Sequence, residues 1–236
     1  KDQILEAQSK QAVMGEMISM IAHQWRQPLS TITLQIANLQ FKQLLGKDRN
    51  SEDIDSALNN ISDTIVYLSD TIDDFQGYFH PNKEILEIEI HDLLQRAVNF
   101  AISRVQDGDI KISINKISEI NVSTYINELV QVVLNILNNA IDAHNDLKTK
   151  DPFIALNAKM AGDMVLIYIE DNAGGIKTMN LPHLFEPYFS TKGKNGTGLG
   201  LYMSKMIIQK QFGGEIDVVN ANNGATFIIK IPKIIT

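Results

Sequence analysis

The chain holds 236 residues, 44% hydrophobic and 21% charged, which is enough apolar material for one or two cores and too ordinary a composition for a disordered segment. A formal net charge of −7 without a long Lys/Arg run excludes general attraction to nucleic acid or an anionic lipid surface. The absence of cysteine excludes disulfides, thiolate metal sites and thiol redox chemistry, which suits a cytoplasmic setting.

The opening KDQILEAQSKQ lacks the apolar core of a leader, and no run approaches the roughly 18–20 apolar residues of a membrane span. A start inside a helical pattern predicts an upstream sensor segment, the only route by which a membrane anchor would join this piece. Apolar residues recur with helical period through Met14, Ile18, Ile21, Trp25, Ile32, Ile36 and Leu39. A polar stretch at 46–53 follows, and then Ile54, Leu58, Ile61, Ile65, Leu68, Ile72, Phe75 and Phe79 alternate spacings of four and three, the pattern of a coiled-coil seam. The two runs predict a helical hairpin. A lone hairpin leaves both stripes wet, so two copies pairing as a four-helix bundle is the expected solution, and with it a homodimer. Pro28 removes a backbone donor and predicts a bend just after His23. Pro81 ends the second helix near His80, and the polar HPNKE reads as a linker, which divides the chain into residues 1–81 and 82–236.

Beyond the linker the pattern turns mixed. It predicts a helix near 90–105, β-rich ILEIEI and IKISI, a helix over 125–147, and strands near 153–159 and 164–170. A helix from Gly198 to about Phe212 and strands near 215–220 and 225–231 complete the set. Helices on one face of a mixed sheet make this half an α+β sandwich. Residues 177–195, with Pro182, Pro187 and Gly193 and little period, read as a long functional loop.

Four segments carry the chemistry, in this order: HQWRQPLS at 23–30, NILNNAIDA at 135–143, DNAGGI at 171–176 and GTGLGL at 196–201. His23 lies beside the bundle seam, and a neutral imidazole nitrogen is a good nucleophile. Asn135 and Asn139, four apart on a helix, project two carboxamides together, and an amide oxygen suits Mg²⁺, which takes its other ligands from water and phosphate. The glycines at 196, 198 and 200 join a helix start, where backbone N–H groups and the positive helix end face phosphates. Neither a Walker loop nor a Rossmann turn fits, since the Lys-Ser/Thr ending and the first-strand context are missing.

Taken together, from about residue 10 to 232, these segments resemble the core of a sensor histidine kinase: an H box, in which Pro follows five residues after His, then the N box and two glycine boxes of the GHKL ATP-binding fold. The resemblance implies ATP-dependent phosphorylation of His23, then transfer to an aspartate of a response regulator. It also implies that Asn139 holds Mg²⁺ with Asn135 in support and Asp142 nearby, and that Asp171 accepts from the adenine amino group beside Gly175 and Thr226. Gly196, Thr197, Gly198, Leu199 and Gly200 would line the phosphates, with Lys192 near them and Phe185 and Phe189 anchoring a lid.

Two departures from the family pattern stand out. Gln24 occupies the place of the usual acid after the histidine; it accepts the imidazole N–H but takes no proton, and Gln27, one turn on, matches a residue that positions water for phosphatase action. Ala173 replaces the first glycine of Asp-x-Gly-x-Gly. Two other readings remain open at this level: a dimeric scaffold that binds ATP only to change shape, and a GHKL ATPase without a histidine acceptor, against which the leading hairpin argues.

Overall fold

The computed structural model describes residues 22, 25–26, 28–41, 51–76, 84–102, 105, 110–115, 119–191 and 198–235. His23, Gln24, Gln27, the bend expected at His23, the linker with its 81/82 boundary, and Lys192, Gly196 and Thr197 lie outside these residues. The described elements fall into two units, with α1 and most of α2 in the first and every element from β1 onward in the second.

In the first unit, α1 runs through residues 28–41 and α2 through Ser51–Gln76. The seam of α2 splits into two lines. Ile54, Ile61 and Leu68 are half-buried, whereas the alternating Leu58 and Ile65 remain 53% and 55% exposed. The first helical stretch repeats this: Trp25, Ile32 and Leu39 are half-buried, while Leu29 and Ile36 face solvent. Each apolar stripe is thus covered along one line only. After Pro28, Ser30 Oγ donates to the Arg26 carbonyl at 2.6 Å and Thr33 Oγ1 to that of Leu29 at 2.9 Å, each hydroxyl bonding one turn back along its own helix. No described helix is long and apolar enough to cross a membrane.

The second unit holds a two-stranded sheet and a five-stranded one. β1 (Ile85–Glu89) pairs antiparallel with β3 (Asn121–Tyr125), and α3 (Ile90–Ile102) follows β1 directly, the Ile90 N–H donating to the Ile120 carbonyl at 2.8 Å. The main sheet has the order β2 (Lys111–Ile114), β4 (Phe153–Ala161), β5 (Met164–Asp171), β7 (Gly224–Pro232), β6 (Glu215–Ala221); β2 is parallel to β4, and the other pairs are antiparallel. The remaining helices are α4 (Ile126–Leu147) and α5 (Gly200–Lys210).

Strict alternation in VLIYIED puts Val165, Ile167, Ile169 and Asp171 on one buried face. The register turns that alternation into rows: Leu156, Ile169, Phe227 and Val218 form one, and Ala158, Ile167, Ile229 and Ile216 the next. The helices supply the opposing layer with Leu93, Leu94 and Ala97 of α3, Leu129, Ile136 and Leu137 of α4, and Ile207 and Ile208 of α5, all buried.

Three details differ from the sequence expectation. β3 has no counterpart in the sequence pattern, because NVSTY carries a single aliphatic residue and is defined by its distant partner β1. The helix expected from Gly198 begins at Gly200, since Gly198 sits at φ 65°, outside helical geometry. The loop at 177–195 opens with a short 3₁₀ helix, Thr178–His183.

Candidate nucleotide site

Asp171 ends β5 on the core face and is buried. Its Oδ1 accepts the Ala173 N–H at 2.8 Å and the Ala225 N–H at 3.3 Å, while Oδ2 takes neither bond. Burial raises its pKa above the ordinary value of 3.8; the two backbone donors and nearby His144 pull against that rise, and Glu170 adds to it. Ala225 precedes Thr226, and Thr226 lies opposite Glu170 in the sheet, so the ends of β5 and β7 bring Asp171 and Thr226 together. The Ala173 methyl, which stands where the family pattern has glycine, is buried, and its N–H serves the carboxylate.

The turn that follows is held from several directions. Asn172 Oδ1 accepts the Phe153 N–H at 2.9 Å, and its Nδ2 donates to the Asp151 carbonyl at 3.2 Å. The Gly174 N–H donates to the Asn223 carbonyl at 2.7 Å. Neither Asn172 nor Asn223 was singled out by motif, because each works through backbone groups distant in sequence.

The amides of α4 meet the second glycine segment. Asn135 Nδ2 donates to Ser204 Oγ at 2.9 Å, and a Cβ on Gly200 would stand 2.6 Å from Asn135 Oδ1, so the helix start and the carboxamide touch with no room for a methyl. Gly198 adopts φ 65°, and a side chain there would strike the Tyr188 backbone; the Tyr188 N–H donates to the Gly198 carbonyl at 2.9 Å. Leu199 is buried. Phe185 meets the Phe227 ring edge-on at 6.5 Å, with Lys205 Nζ 5.3 Å from the Phe185 ring centre, which fastens the segment after the 3₁₀ helix to β7 and α5. Phe189 lies tilted against His183 at 6.1 Å.

Asn139 and Asp142 sit half-buried on α4, one and two turns beyond Asn135. Further along, buried His144 places Nε2 3.1 Å from the Phe153 carbonyl. Among the described residues no cluster of three or more His, Asp and Glu side chains could hold a metal ion. A donor set of amide oxygens fits a hard divalent cation that draws most of its ligands from phosphate and water.

Comparison with known proteins agrees with this layout. Residues 124–235 match the family described as histidine kinase-, DNA gyrase B-, and HSP90-like ATPase. The sensor protein FixL of Bradyrhizobium diazoefficiens is 26% identical over 227 residues, 95% of this chain and 44% of its own length. The sensor histidine kinase ZraS of Salmonella typhimurium is 29% identical over 234 residues, 98% of this chain and 48% of its own. The chain resembles the catalytic cores of sensor histidine kinases. It spans less than half the length of these two curated relatives. A histidine kinase ThkA solved in complex with the response regulator protein TrrA shares the fold over 96% of this chain and 64% of its own, with a TM-score of 0.70 at 21% identity. The family match begins within β3, so it takes in α4, both glycine segments and Thr226 and leaves out β1, α3 and β2.

Proposed function

We propose that this chain is an ATP-dependent protein histidine kinase that phosphorylates itself on His23 and passes the phosphoryl group to an aspartate of a response-regulator receiver domain. A ring nitrogen of His23 forms the new N–P bond as the bond from the γ-phosphorus to its bridging oxygen breaks, and ADP leaves. Gln24 accepts the opposite imidazole N–H and sets the tautomer, and Gln27 positions water for dephosphorylation of the regulator.

The observation that carries this reading is the seat of α4 between two glycine segments: Asn135 against Gly200 and Ser204 at one end, His144 beside Asp171 at the other. The nine-residue step from Asn135 to His144 spans roughly 13.5 Å along the helix, comparable to the reach of a nucleotide from base to phosphates. Asp171 accepts from the adenine amino group, with Gly175 and Thr226 flanking the base. Gly196, Thr197, Gly198, Leu199 and Gly200 present N–H groups to the phosphates, and Lys192 adds charge. Asn139 would hold Mg²⁺ with Asn135 in support and Asp142 nearby, and the ion would supply charge neutralisation on the transferring phosphoryl group.

The N-terminal segment, residues 1–81, is the dimerisation and phosphotransfer hairpin, and residues 82–236 the ATP-binding domain. Exposure of Leu58 and Ile65 supports pairing with a second copy into a four-helix bundle. Use of ATP and of a receiver domain sets the reaction in the cytoplasm. A second reading, a scaffold that binds ATP without transfer, is favoured by Gln24 alone. Incubation with γ-labelled ATP and Mg²⁺ decides between them: acid-labile, base-stable label on the parent and none on His23→Gln supports the kinase, and nucleotide uptake without label, or label on another residue, overturns it.

A further inference from the structure

We propose that Asn220 is a positioning residue for the nucleotide turn, a role that rests on reading residues 171–176 as part of the ATP pocket. Asn220 lies on β6, the edge strand of the main sheet, opposite Ala225 of β7. Its Oδ1 accepts the Ile176 N–H at 2.8 Å, and its Nδ2 donates to the Ile176 carbonyl at 2.6 Å. One carboxamide thus satisfies both polar groups of a single residue, as a neighbouring strand would, where no strand continues. The same amide packs on Gly175, where a Cβ would stand 2.9 Å from Asn220 Oδ1 and 2.9 Å from the Gly224 carbonyl.

Both ends of the turn are therefore referred to one rung of the sheet. Ala225, the register partner of Asn220, donates to Asp171 Oδ1, while Asn220 holds Ile176 five residues later. The hairpin between β6 and β7 adds the Gly174 to Asn223 bond and an Asn222 Nδ2 donation to Glu170 Oε1 at 2.9 Å. Asparagine is the residue that meets the requirement: serine and threonine offer one oxygen, and aspartate has the acceptor but no donor. Both bonds are exposed to solvent, so their loss disturbs the placement of the turn more than global stability.

The test uses a fluorescent N-methylanthraniloyl-ATP with Mg²⁺, together with the ATP dependence of autophosphorylation. Asn220→Ala raises the dissociation constant about ten-fold, the combined effect of two modest hydrogen bonds, and raises KM for ATP while labelling at saturating ATP is kept. Asn220→Asp, of equal size and still able to accept from Ile176, shows a comparable loss because its carboxylate faces the carbonyl. A packing role alone predicts the reverse: Asp rescues binding, or the active fraction falls at constant KM. Parent-like affinity in Asn220→Asp overturns the proposal even where Asn220→Ala folds poorly. If the parent takes up no nucleotide, the ATP reading itself falls, and this proposal with it.

Discussion

Gly198 and Gly162 share one backbone conformation and differ in what surrounds them, which makes the pair a measurement of the contact. Their φ angles are 65° and 64°; a Cβ at Gly162 meets nothing within 4 Å, whereas at Gly198 it runs into the backbone of Tyr188. Alanine at Gly162 incurs only the left-handed strain, about 1–2 kcal/mol. Alanine at Gly198 adds overpacking of about 1–3 kcal/mol, and because the obstacle is main chain, no side-chain rotation relieves it. The cheapest relaxation breaks the 2.9 Å bond from Tyr188 to the Gly198 carbonyl and lifts the segment after the 3₁₀ helix away from the start of α5. Gly198→Ala is therefore expected to lose about 2–5 kcal/mol in urea unfolding and most of its nucleotide affinity. Gly162→Ala loses about 1–2 kcal/mol with affinity unchanged. Equal losses in the two variants, or parent-like nucleotide binding by Gly198→Ala, would refute the argument that the Tyr188 contact shapes the phosphate end of the site.

Asp171→Asn should remove nucleotide binding yet raise the melting temperature at pH 7. A carboxyl whose pKa is raised on folding favours the folded state below its ordinary value of 3.8 and loses that contribution as pH rises through the folded value, so the ionised form is a burden at neutrality. The thermal advantage of the variant should shrink as pH falls toward that value, and an advantage that grows on acidification would contradict the burial argument. At the other end of the chain, Leu58→Asp with Ile65→Asp should shift the parent from dimer to monomer in analytical ultracentrifugation, since both apolar side chains are more than half exposed in one copy. A parent that sediments as a monomer would dismiss the bundle.

The sheet was legible wherever period two met aliphatic residues. VLIYIED and ATFIIKI announce strands because both faces of the alternation carry bulk, while NVSTY, with polar residues at alternate positions, becomes β3 only through its register with β1. The glycine segments were legible by spacing, but the onset of α5 was not, because a glycine inside a helical pattern gives no sign of the left-handed angle that Gly198 adopts against Tyr188. Asp171 stood out as an acid ending an apolar run. Asn220, Asn172 and Ser204 did not, since each acts on a group 19 to 69 residues away and an asparagine in a hairpin reads as turn chemistry.

α4 serves two purposes at once: Ile136, Leu137 and Ile141 lie in the core at 0–1% exposure, and on the adjoining side Asn135 meets Ser204 and Gly200 at the start of α5. A turn of one residue about the axis swings side chains through roughly 100°, so the amides cannot be re-aimed without repacking the interior. A substitution on the hidden side of this helix would therefore be felt at the amides as well as in the interior.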